Sequence, residues 1–92
     1  MPKLTAEVQI ERPERYGKQL ASHLGHKAEV TDLPNGWSLA IAGGTGLVLP
    51  GDGVLTLVAE APDQESTDRI KFVLEKHLRQ FATKLELSID WA

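Results

Sequence analysis

The 92-residue chain contains no cysteine. Disulfides, thiol nucleophiles and zinc–thiolate sites are therefore excluded together. Aromatic residues are scarce: Tyr16, Trp37, Phe72, Phe81 and Trp91 are all there are. Most of them fall on the apolar phase of their segment, which leaves no interleaved platform for stacking bases, so a nucleic-acid partner is not expected. No segment approaches the ~18–20 apolar residues of a membrane span, and Met1-Pro2-Lys3-Leu4-Thr5 lacks the apolar run of a signal peptide. A cytoplasmic protein without membrane contact is the expectation.

Catalytic signatures are missing as well. None of Ser22, Ser38, Ser66 and Ser88 lies in a Gly-x-Ser-x-Gly elbow. Gly43-Gly44-Thr45-Gly46 leads from one strand to another and no Lys-Ser or Lys-Thr follows it, so it reads as a flexible hairpin and not as a phosphate cradle. The acids Glu7, Glu11, Glu86 and Asp90 sit on the wet phases of their strands and read as solvated. Neither an enzyme nor a cofactor is expected.

Bases are absent from one long stretch. Residues 28–66 carry six acids and no Lys or Arg, whereas 12–27 and 67–84 each sum to +3 within a chain of net charge −3. The two flanking stretches are the predicted helices. If both lie on one face of a sheet, that face is mildly positive.

What is present is a pattern used twice. Arg15–Leu24 and Arg69–Leu78 both read Arg, four residues, Leu, two residues, His, Leu. Each copy follows a strand-like segment and precedes an alternating one. Leu4, Ala6, Val8 and Ile10 alternate with polar residues as in a half-buried strand. Pro13 opens a helix with Tyr16, Leu20 and Leu24 on one face, and Gly25 is expected to end it in the left-handed conformation. Ala28–Asp32, Trp37–Ala42, Leu47–Leu49 and Val54–Ala61 read as strands, with an Asn-Gly turn at Leu33-Pro34-Asn35-Gly36. Asp63 or Ser66 could cap a second helix, whose stripe of Ile70, Val73, Leu74, Leu78 and Phe81 is the strongest periodic signal. Leu85, Leu87, Ile89 and Trp91 alternate with polar residues as a closing strand.

The predicted order is β-α-β-β-β-β-α-β. It implies one domain over residues 1–92, an α+β two-layer sandwich with a rough internal repeat. The sheet should be mainly antiparallel, with both helices on one face. The strands flanking each helix are expected to run parallel, as right-handed crossovers require.

His23, His26 and His77 are the candidates for a metal site, since imidazoles from neighbouring helices can ligate zinc, copper, nickel or iron. The bland alternative is a buried or half-buried imidazole with one hydrogen-bonded nitrogen. Phe72 lies about 160° from the centre of its helix's apolar stripe. Flanked by Lys71 and Lys76, it suggests a protein contact or self-association surface.

Several of these residues also carry a family resemblance: Tyr16 with Leu20, His23-Leu24-Gly25-His26-Lys27, Glu60-Ala61-Pro62-Asp63, His77-Leu78 with Phe81-Ala82, and Leu87-Ser88-Ile89-Asp90-Trp91. In this order, over nearly the whole chain, they resemble a bacterial family of small proteins catalogued as domain of unknown function 2218. Leu47-Val48-Leu49 departs from it, where the family often has an Ile-x-Phe type strand. The resemblance implies no assigned activity. Related domains joined to flavin-dependent siderophore-interacting modules would imply a link to iron metabolism, though this chain carries no flavin or nicotinamide motif. His23, His26, Lys27 and His77 match motif positions. The expectation is a non-catalytic binding or accessory module that acts on an unknown protein partner or as a homodimer. The alternative is a metal- or small-ligand-binding module using the histidines.

Overall fold

The structure is a computed structural model that describes residues 2–82 and 87–92. The elements run β1 (Lys3–Gln9), α1 (Pro13–Leu24), β2 (Glu29–Leu33), β3 (Gly36–Ile41), β4 (Gly44–Pro50), β5 (Val54–Glu60) and α2 (Gln64–Phe81). The sheet order is β1-β5-β4-β3-β2, and every neighbouring pair is antiparallel. The α1 connection carries the chain from one edge of the sheet to the other. A meander from β2 to β5 then returns it to pair with β1. Four antiparallel steps make β1 and β2 run in the same direction, as the crossover demands, but three strands separate them.

The register settles which face is dry. Ala6 opposes Leu57, Leu57 opposes Val48, and Val48 opposes Trp37, so Ala6, Leu57, Val48 and Trp37 share one face. Gly46 and Leu39 oppose each other on that same face. Both helices cover it. A Cβ at Gly17 of α1 would lie 3.1–3.3 Å from Trp37, Leu55 and Val48, so α1 approaches the sheet there as closely as a glycine allows. Leu20, Ile70, Leu74 and Leu78 close the core from the helical side and are fully excluded from solvent, as are Leu39, Leu55 and Leu57 beneath them. The repeated pattern thus supplies one fully buried leucine per helix at its first Leu position. Thr5, Glu7, Thr56 and Thr45 lie on the other sheet face, together with Leu47 and the buried Val58.

Four details differ from the sequence reading. The glycine run does form the β3–β4 hairpin, but Ala42 and Gly43 alone make its turn (φ 49° and 81°), and Gly44 and Gly46 belong to β4. At Gly44 a side chain would meet the Glu60 carbonyl, Ala61 and Ile70, whereas Gly46 has only ordinary contacts with Ile41, Ile70 and Leu74. At the preceding hairpin, Pro34 and Asn35 make the turn and the positive φ falls on Gly36 (157°), not on Asn35. Gly25 ends α1 in the right-handed conformation (φ −62°, ψ −16°), because the chain continues into a further turn in which the Lys27 and Ala28 N–H groups both donate to the Leu24 carbonyl. The closing strand is reduced among the described residues to one antiparallel bridge, Ala6 to Trp91, with Leu85 and Glu86 outside them. Trp91 compensates by donating its indole N–H to Glu75 Oε1 on α2 at 3.0 Å.

Two predictions arise here. Ala42 occupies the first of two left-handed turn positions, where Asn-Gly is favoured and alanine pays for its Cβ. Ala42→Asn is therefore expected to raise stability by about 0.5–1 kcal/mol in urea denaturation. Asp63 caps α2 by accepting the Ser66 N–H at 2.7 Å, a bond that holds its carboxyl below the ordinary value. The lowered native value means that the cap stabilises above the unfolded-chain value and is lost as pH falls through the native one. Asp63→Ala should melt earlier than the parent at neutral pH, and the difference should shrink below about pH 4. A gap that persists unchanged to about pH 2 would contradict this role.

Candidate functional site

The helical layer carries every sequence-predicted site residue, but not as one site. His23 and His77 occupy equivalent positions in the repeated pattern, and helix packing brings them together. Their ring centres are 5.0 Å apart at an interplanar angle of 44°. Phe81, one turn beyond His77, meets His23 edge-on at 5.2 Å. His77 is half-buried and His23 exposed. His77 Nδ1 lies 2.7 Å from the Val73 carbonyl. A carbonyl only accepts, so Nδ1 donates, and in the neutral ring Nε2 is the nitrogen that bears the lone pair. The half-buried imidazole with one bonded nitrogen is therefore what His77 is, and its second nitrogen remains available.

His26 and Lys27 do not join the pair. His26 lies beyond the end of α1, exposed, and shares a shallow depression with Arg15, Lys18, Ser22 and His23. Lys27 is exposed beside a groove of about 280 Å³ whose floor includes Leu24, Ala28, Ile41, Val73 and His77. Among the described residues no three His, Asp or Glu side chains lie close enough to hold a metal ion together.

The second feature is the outer face of α2. Phe72 is 63% exposed, a large apolar side chain left in water in the middle of an 18-residue helix. Lys76 places its ammonium 5.8 Å from the ring centre, within cation–π range. Lys71 does not take part: it is half-buried and lies about 100° around the helix from Phe72.

Around Phe72 the charges form a pattern that the sequence reading missed. Glu65 and Arg79 each lie seven residues from it, Asp68 and Lys76 four, Arg69 and Glu75 three. At 100° per residue these pairs sit about 20°, 40° and 60° to either side of Phe72, on one strip of the helix. Every pair is one acid and one base. The signal was present in the sequence, but it acquires meaning only once this strip is known to face solvent. Within the helix, Arg69 pairs with Glu65 at 3.6 Å and Arg79 with Glu75 at 3.4 Å, exposed contacts of the kind worth a few tenths of a kcal/mol.

A five-stranded antiparallel sheet covered on one face by two helices, each bearing the same Arg-x4-Leu-x2-His-Leu pattern, defines a small α+β sandwich. The chain belongs to the bacterial family described as uncharacterized proteins conserved in bacteria, domain of unknown function 2218, which it matches over residues 5–92. Its fold is shared by a solved relative, the NMR structure of PA4090 from Pseudomonas aeruginosa. That protein is 27% identical, with a TM-score of 0.84 over 100% of this chain and 96% of that one. No curated protein matches the chain. No helix among the described residues is long and apolar enough to cross a membrane.

Proposed function

We propose that this protein is a non-catalytic module that acts by self-association through the outer face of α2. The observation that supports this reading most is the antisymmetry of charge about Phe72. A two-fold axis passing beside Phe72 would lay two α2 helices antiparallel. It would set Phe72 against its copy, Asp68 against Lys76 of the second copy, and Glu65 against Arg79. A closed two-fold contact needs a surface complementary to itself, and a strip that changes sign about its own midpoint is one. The spacing of the strip, 65, 68/69, 72, 75/76 and 79, is that of a helix–helix seam.

One aromatic anchor and a charged rim make a small contact, below the ~1,200 Å² of standard interfaces, so the association is of the weak, exchanging kind. It is read by sedimentation velocity and by amide chemical shifts over a dilution series from about 1 mM to 10 μM. The expected result is a concentration-dependent dimer, with shifts clustered on residues 65–79. Phe72→Ala should weaken the dimer at least tenfold while leaving the melting temperature within a degree or two, because the side chain is exposed. A monomer across the whole range, or a dimer indifferent to Phe72→Ala, would overturn the reading.

A further inference from the structure

The histidine pair lies elsewhere on the helical layer and calls for a separate account. His77 is five residues beyond Phe72, about 140° around α2, on the side that meets α1. Two imidazoles from two helices sit ring to ring beside a phenyl edge, with no carboxylate bonded to either among the described residues. Packing alone does not require histidine here. An apolar ring at position 77 would fill the same space without needing the Val73 carbonyl.

We propose that His23 and His77 together bind one divalent transition-metal ion of the zinc, nickel or copper class, with water or an exogenous ligand filling the remaining positions. Three observations carry this. The first is distance. With metal–nitrogen bonds of about 2.0–2.1 Å, each ring centre stands about 3.2 Å from the ion, and two rings at a tetrahedral angle then have centres about 5.2 Å apart. The observed separation is 5.0 Å. The second is the state of His77. Its Nδ1–H is held by a backbone carbonyl, the arrangement that orients metal-ligating histidines. The third is access, since His23 is exposed and His77 only half-buried. The ligand set fixes the class of ion. Two neutral imidazoles without a carboxylate suit borderline metals and offer nothing to calcium or magnesium, which require oxygen.

The test is calorimetric titration of the tag-free protein with zinc chloride and nickel chloride, beside 1H–15N spectra of the imidazole nitrogens. The wild-type chain and His26→Ala are expected to bind one equivalent and to shift His77 Nε2. His23→Ala and His77→Gln should bind at least tenfold more weakly. His23 is exposed, so its variant folds as the parent does, and it carries the test even if His77→Gln is unstable. Equal affinity in His23→Ala and wild type, or no binding of either metal up to about 1 mM, would overturn the proposal. Binding lost only in His26→Ala would overturn it equally, placing the ion in the depression beside Lys18.

Discussion

Gly44→Ala is expected to destabilise the domain by about 3 kcal/mol, whereas Gly46→Ala, two residues along the same strand and face, should lie within about 1 kcal/mol of the parent and on the stabilising side. A Cβ at Gly44 would fall on the Glu60 carbonyl oxygen of the neighbouring strand, with Ala61 Cβ at 2.7 Å and Ile70 Cδ1 at 2.8 Å. Two of those three obstacles, the carbonyl and the Cβ, are attached directly to the backbone of the β5–α2 junction, so no rotamer change relieves them. At Gly46 the nearest atoms are the ends of Ile41, Ile70 and Leu74, each at 3.4 Å, an ordinary contact. Alanine there adds buried surface and stiffens the unfolded chain. Chemical denaturation of the two variants side by side measures the difference. Similar losses in both would mean that the glycines serve strand flexibility and not the approach of α2.

Leu74→Ala carries the other large effect, a loss of about 3–4 kcal/mol. Leu74 is fully buried at the centre of α2's inner face and reaches over Gly46. Glycine beneath it has no side chain to move into the space, so the cavity stays open and the cost falls in the upper part of the range for leucine truncation. A domain of this size holds only about 5–10 kcal/mol in total, so the variant should be partly unfolded near 37 °C. In urea the midpoint should drop with the slope unchanged. Combining it with Gly46→Ala should recover part of the loss, because the added methyl occupies the vacated volume. Strict additivity of the two changes would show that the residues do not share that space.

How much of this was legible in the sequence depended on the range of the interaction. Ile70, Leu74 and Leu78 gave α2 by their spacing, and the same periodicity placed Phe72 in solvent. Alternation gave most of the strands, though only Leu47–Leu49 of β4, and of the two caps offered, Asp63 and Ser66, α2 uses Asp63. Strand order was not legible, since nothing in Lys3–Gln9 states that its partner is Val54–Glu60 rather than the sequence-adjacent Glu29–Leu33. The glycines were misread because an isolated Gly-Gly-x-Gly run looks the same in a loop and under a tightly packed helix. Only the close approach of the β5–α2 junction and Ile70 to Gly44 tells the cases apart. The Arg-x4-Leu-x2-His-Leu repeat hinted that His23 and His77 are related, but their meeting depends on how α1 lies against α2. His26, only three residues from His23, lies beyond the end of α1 and stays out of the ring pair, although both line the same shallow depression.

The central claim, that α2 pairs with its own copy about Phe72, is tested most directly by exchanging one pair of charges. Asp68 and Lys76 are eight residues apart, about 12 Å along one helix, too far to touch within a single molecule. Asp68→Lys alone and Lys76→Asp alone should each weaken the dimer several-fold by opposing like charges across the axis. The double exchange should restore it to near the wild-type dissociation constant in sedimentation equilibrium. A double variant as weak as the two single losses combined would contradict the two-fold pairing.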